Sequence, residues 1–146
     1  MGITMELTVK RFEELINREL YDVLQARIAV FVVEQNCPFQ EIDGKDFFSY
    51  HVFYTEDGRI QAYVRVVEPT PANAEISIGR VLTIKRGTGL GREIMLEGIR
   101  SPRKRWARRG FTWRRSPTPR ASMNSSAFGR SRTSFWKMIF RTLRCC

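Results

Sequence analysis

The segment Arg86-Gly87-Thr88-Gly89-Leu90-Gly91 lies between a stretch that reads as a strand and one that reads as a helix. The first N–H groups of a helix have no intrahelical acceptor and point outward, and glycines let a phosphate approach the backbone without a Cβ in the way. The loop therefore offers an anion cradle, set against the plainer reading of a tight connection. It is not a dinucleotide fingerprint, because the third glycine would fall at Arg92, and it is not a P-loop, because no Gly-Lys-Ser/Thr follows. A second group of side chains could act on a substrate. Glu34, Glu41, Asp43 and Asp46 could accept a proton or hold a cationic amine, although loop acids are usually only solvated. His51 opens a strand and could face an acceptor pocket, with a structural histidine as the plainer choice. Arg27 could meet Asp43 or a substrate carboxylate, a structural ion pair being the simpler role. Cys37 has no nearby basic cluster to lower its pKa and reads as a packing residue.

These groups need elements to hold them. Alternation over residues 4–10 predicts a first strand. Asn17 is placed as an N-cap with Glu19 in the first turn, and Leu20, Val23, Leu24, Ile28 and Phe31 recur at helical spacing, which predicts a helix over 18–33. Residues 36–46, with Pro38 and Gly44, read as a loop. The β-rich runs 50–55 and 60–67 flank Asp57-Gly58, a hairpin signal. A loop with Pro69 and Pro71 leads to a strand over 75–84, then to the glycine loop and a helix from about Arg92 towards Arg100. The class is α/β.

The chain has 146 residues and a formal net charge of +10, with 42% hydrophobic and 27% charged residues, values that suit one globular domain rather than a coiled coil or a fully disordered chain. The longest apolar run, 28–33, is too short to span a bilayer, and no leader-like pattern opens the sequence, so a cytoplasmic protein is expected. Three cysteines and a single histidine do not complete a zinc set or imply a disulfide framework, so no metal is expected. The charge is uneven. Residues 1–100 carry 12 Lys and Arg against 15 Asp and Glu, whereas 101–146 carry 13 Lys and Arg and no acid. We therefore divide the chain into 1–100, a globular part, and 101–146, a basic Arg- and Ser-rich tail.

Arg86-x-x-Gly89-x-Gly91 after Ile78-Gly79-Arg80-Val81-Leu82 resembles the acetyl-CoA pyrophosphate signature of the GNAT superfamily of N-acetyltransferases. Leu20-Tyr21 through Arg27, followed by Val30-Phe31-Val32-Val33-Glu34-Gln35-Asn36-Cys37-Pro38-Phe39-Gln40-Glu41-Ile42-Asp43, is similar to the ElaA-like branch, over about residues 15–100. The resemblance implies a GNAT fold: a mixed sheet with flanking helices, the C-terminal part being incomplete here. It implies acetyl-CoA as co-substrate, with the diphosphate on the backbone of Gly87, Thr88, Gly89, Leu90, Gly91 and Arg92 next to Arg86. The pantetheine arm would pair like an added strand with Val81, Leu82 and Thr83. Between Val81 and Arg86 the chain is about two residues shorter than the family pattern. The implied acceptor is a small-molecule or peptide amine, with Arg27, Glu34, Asp43 and His51 as substrate-site candidates. A homodimer is allowed, and no membrane partner is expected.

The tail departs from that family, which needs further strands and a helix there. Read one base earlier, Trp106-Ala107 must give Gly, Met123-Asn124 and Trp136-Lys137 must give Glu, and Met138-Ile139 must give Asp. In that frame residues 110–128 permit VYLEAQSYAQGFYEQFGF and residues 134–146 permit FLEDDIPHIEML, both similar to the ElaA-like C-terminus. The tail thus reads as a frameshifted stretch of an acetyltransferase gene. The family often uses a Tyr to protonate the leaving thiolate; its place falls near Ser122 and Met123, so no catalytic acid or base is assigned. Two alternatives differ in class. One is an acyl-homoserine lactone synthase-like protein. The other is a nucleic-acid binder using the basic tail with Trp106, Trp113 and Trp136, which is disfavoured because out-of-frame GC-rich codons also yield Arg, Ser and Pro.

Overall fold

Alternating polar and apolar residues give strand β1 (Glu6–Arg11), and the chain then turns through a short 3-10 segment into helix α1 (Asn17–Ile28). The computed structural model describes residues 5–71 and 76–108, the side chains of 106–108 excepted. Asn17 is the first helical residue, not the cap. Ile16 holds the extended cap position, and its N–H donates to Glu19 Oε2 at 3.0 Å. Glu19 also receives Lys10 Nζ from β1 at 2.7 Å, which ties the helix start to the sheet.

The helix expected over 18–33 changes character at Ala29. Residues Ala29–Glu34 form a π-helical turn, closed by the Cys37 N–H donating to Val32 O at 3.1 Å. Val30, Val32 and Val33 are β-branched and crowd a regular α-turn, so the hold on α geometry is weak there.

Strands β2 (Ser49–Glu56) and β3 (Arg59–Val67) form the expected hairpin around Asp57 and Gly58, both at positive φ (50° and 72°), as a two-residue type I′ turn requires. Strand β4 (Ser77–Thr83) follows, and the sheet order is β1-β2-β3-β4, antiparallel throughout the described residues. Between Gly79, which faces Arg65, and Leu82, which faces Tyr63, two residues of β4 oppose Val64 alone. This β-bulge carries Arg80 at φ 54°, an uncommon conformation for a side chain with a Cβ. The other edge of β4 has no strand partner among the described residues.

Helix α2 (Leu90–Arg108) starts two residues earlier than the sequence suggests and runs past the expected end. Pro102 sits inside it, fully buried, where it removes one helical N–H donor. Arg105 Nη1 also reaches Glu14 Oε2 at 2.8 Å. α2 lies over Val64 and Val66 of β3, where Gly98 permits close approach: a Cβ at Gly98 would meet Val64 Cγ1 at 2.8 Å. α1 and the loop after it lie against the opposite face, which presents His51, Tyr63 and Arg65. The core is made by Val23, Phe31, Val52, Phe53, Ala62, Val64, Val66, Leu82, Leu90 and Ile94, all buried. Residues 109–146, which hold Trp113, Ser122, Met123, Trp136 and most of the frameshift reading, lie outside the described residues, as does the Trp106 side chain.

Candidate functional site

The glycine loop joins the C-terminal end of β4 to the start of α2. Gly87 and Gly89 take φ of 76° and 80°, a left-handed backbone that a side chain would oppose, and a Cβ at either would meet open space. Thr88 fastens the turn through its hydroxyl, which donates to Lys85 O at 3.1 Å. The carbonyl of Gly89 accepts the N–H of Arg92 at 3.0 Å and of Glu93 at 3.2 Å, starting the helix. Arg92 therefore lies inside helix pairing, contrary to the expectation that its amide stays open. The N–H groups of Gly87, Gly89, Leu90 and Gly91 have no backbone acceptor among the described residues. Four donors gathered at a helix N-terminus, with nothing pressing on the glycines, can hold an anion. Val81, Leu82 and Thr83 lead into this loop, and Leu82 and Thr83 pair with Tyr63 and Ala62 of β3. Arg86, at the loop's start, forms an ion pair with Glu34 at the end of the π-helical turn.

The remaining substrate-site candidates converge elsewhere, on the face of the sheet under α1. Arg27, 0% exposed, donates through Nε to Glu41 Oε1 (2.7 Å), through Nη1 to Asp46 Oδ1 (2.6 Å) and through Nη2 to Glu41 O (3.1 Å). Its expected partner, Asp43, instead takes a two-pronged contact from Arg65: Nη1 to Oδ1 at 2.7 Å and Nη2 to Oδ2 at 2.8 Å. Arg65 Nη1 also reaches Asp46 Oδ1 at 3.1 Å. Arg80, on the bulge, places Nε 2.8 Å from Glu41 Oε2, and its guanidinium lies near the rings of Phe31 (6.0 Å) and Phe39 (5.4 Å). Three arginines from α1, β3 and β4 thus meet three carboxylates of one loop, and the formal charges cancel.

His51 is fully buried beside this cluster. Nε2 lies 3.1 Å from the Asp46 carbonyl, which can only accept, so Nε2 carries the proton and Nδ1 accepts from the Tyr63 hydroxyl at 2.9 Å. Burial, with the positive charges of Arg27 and Arg65, holds the imidazole below its ordinary value against the pull of Asp46, so His51 is neutral at pH 7. Burial likewise raises the Tyr63 phenol, which stays protonated. Burial alone would lift the Asp43 carboxyl, but the Arg65 fork, the Lys45 N–H and the Arg80 charge outweigh it and bring it to about 2. Burial would weaken the Arg27 and Arg65 cations, yet their carboxylate partners raise both further above the usual range.

Arg27, Asp43 and His51 are therefore neighbours in one network, with Glu41 and Asp46, while Glu34 stands apart beside the glycine loop. Tyr63, Arg65 and Arg80 complete the network and were missed in the sequence. Arg65 had a visible signal, a lone cation in the otherwise apolar run 62–67, which burial permits only with a partner. Arg80 had none, because a bulge depends on strand register. Cys37 is buried at the end of the π-helical turn.

No family model matches the chain. Its fold superimposes on an acyl-CoA N-acyltransferase from Pseudomonas aeruginosa with a TM-score of 0.66 and 37% identity, over 70% of this chain and 73% of that one. It superimposes on ElaA of Escherichia coli with a TM-score of 0.65 and 34% identity, over 70% and 72% of the two chains. In sequence, ElaA is 36% identical over 97 residues, a match that spans 63% of its length. A predicted acetyltransferase from Clostridium acetobutylicum, solved with acetyl-CoA, shares the fold at a TM-score of 0.50 and 12% identity. The chain belongs to the ElaA-like branch of the GNAT superfamily of acyl-CoA N-acyltransferases.

Proposed function

We propose that this protein transfers an acetyl group from acetyl-CoA to the primary amine of a small molecule or peptide. The observation that carries the proposal is the set of open N–H groups at Gly87, Gly89, Leu90 and Gly91, placed where β4 ends and α2 begins. Those amides and the α2 dipole suit a diphosphate, with Arg86 close by to add charge. The edge of β4 at Val81, Leu82 and Thr83, which no strand pairs among the described residues, suits the amide-bearing pantetheine arm, which would bind as an added strand. Bound this way, acetyl-CoA supplies an activated thioester that an uncharged amine can attack directly once the two are held together.

The buried cluster has a supporting role in this scheme. It fixes the 41–46 loop to α1, β3 and the β4 bulge, and so holds the wall beside the strand that would carry the thioester. Neutral His51 and protonated Tyr63 are occupied with each other and with Asp46, which gives them an orienting rather than a proton-transfer role. The site of action is proposed to be the cytoplasm, where acetyl-CoA is made and used. Among the described residues no helix is long and apolar enough to cross a membrane.

Calorimetric titration of acetyl-CoA into the full chain tests the proposal. Saturable binding that is lost in Gly89→Val, where a side chain would both strain the φ of 80° and fill the cradle, supports it. Absence of binding by the full chain at millimolar ligand refutes it.

A further inference from the structure

Glu34 is the last residue of the π-helical turn that follows α1, and its carboxylate forms an ion pair with Arg86, 52 residues away in sequence and directly before the cradle. Two features make this contact more than an incidental surface pair. A wide π-turn departs from the hydrogen-bonding of a regular helix and tends to be kept where a helix end must be re-aimed for function. Here the turn directs Glu34 away from the buried cluster, where every neighbouring acid of the 41–46 loop is engaged, and towards the glycine loop. The ion pair also neutralises Arg86, the cation directly before the open amides of Gly87, Gly89, Leu90 and Gly91, while Arg92, directly after them, is exposed.

We propose that Glu34 is an affinity-setting residue that acts through Arg86: it is the counter-ion that an incoming diphosphate must displace. The inference rests on the coenzyme reading of the loop. A carboxylate and a phosphate are rivals for the same guanidinium geometry, because each accepts parallel N–H donors from it. When the phosphate arrives, Arg86 exchanges one anion for the other, and Glu34 is left as a negative charge beside a negative ligand. Both effects lower affinity for ligands that carry the diphosphate, and neither touches a ligand that lacks it. In return, Glu34 can re-form its pair as product coenzyme leaves, so the loop does not have to pass through an unpaired cation. Glu34 is thus a positioning residue for Arg86, and it sets how tightly the donor and its spent product are held.

The test compares binding of coenzyme A and of pantetheine by calorimetry to the full wild-type chain, to Glu34→Gln, to Arg86→Gln and to the double variant. Glu34→Gln keeps the size of an exposed side chain and removes only its charge. Glu34→Gln should bind coenzyme A about two- to fivefold more tightly, the range set by exposed ion pairs. Pantetheine binding is expected to stay unchanged in that variant, and the gain for coenzyme A to vanish when Arg86 is also changed to Gln. A structural role for Glu34 would alter both ligands alike, and such a result overturns the inference. Equal or weaker coenzyme A binding by Glu34→Gln also overturns it, while leaving the coenzyme reading intact. If none of the four chains binds coenzyme A, the coenzyme reading falls and this inference falls with it.

Discussion

Arg27, Arg65 and Arg80 meet Glu41, Asp43 and Asp46 in a region where charge is costly to bury unless it is paired. Removing one partner leaves the rest uncompensated, so Arg27→Met, which keeps the stem and deletes the cation, should destabilise the chain by about 3–5 kcal/mol in denaturant titration. Asp43 acts on the acid side. Its carboxyl is held at about 2 in the folded chain, below the ordinary 3.8, so its contribution is complete above the ordinary value and is lost as pH falls from 3.8 towards 2. The shift corresponds to about 2 kcal/mol, and Asp43→Asn should lose roughly that much at neutral pH and show a flatter acid limb below pH 4. His51 gives a separate signature. Its imidazole is held below 6.5, so the unfolded chain takes up a proton that the folded one refuses, and stability present above 6.5 declines as pH drops below it. Thermal melts between about pH 7 and 5 should show this slope in the wild type and a reduced slope in His51→Gln.

Elements carry the geometry between these residues. α2 approaches β3 closely because residue 98 lacks a Cβ, and the neighbour it would strike, Val64, is buried and stiff at χ1. Gly98→Ala gains helix propensity but forces overpacking, and the second effect should win by about 1–2 kcal/mol. Gly98→Ala combined with Val64→Ala should recover part of that loss in a double-mutant cycle, a coupling that a purely helical effect would not produce. The element plan was largely legible before the fold was known. The Asp57-Gly58 hairpin follows from residues that tolerate positive φ, and the strand, glycine loop and helix order follows from composition and spacing. Three features were not legible. The π-helical turn at Ala29–Glu34 keeps the helical hydrophobic pattern, so periodicity reads it as more α-helix. The passage of α2 through Pro102 runs against a strong local rule. The placement of Arg80 depends on a bulge, which pairing alone decides. At the site, the sequence marked the glycine loop as an anion cradle. It named Arg27, Asp43 and His51 but offered Asp43 as the partner of Arg27, because Arg27 finds Glu41 and Asp46 only once α1 lies across the sheet.

On the scale of the whole molecule, two separate features divide the work. A buried, charge-balanced network fastens the loop over one face of the sheet, and a glycine loop with open amides follows the end of β4. The first sets the expected pH response, and under the proposed function the second selects the ligand. The match to ElaA spans 63% of that protein, and the basic stretch from about residue 101 is where this chain's composition changes. We propose that this stretch is encoded by a shifted frame of an acetyltransferase gene. Sequencing the encoding DNA should show codons that spell the alternative words one base earlier, and codons unable to do so would exclude the frame reading.

Amide NMR of the full chain titrated with coenzyme A reads the glycine loop directly. The backbone N–H signals of Gly87, Gly89, Leu90 and Gly91 should move together and saturably, and pantetheine, which has no diphosphate, should leave them in place. If coenzyme A binds while those four signals stay still, the diphosphate is held elsewhere and the glycine loop is not its cradle.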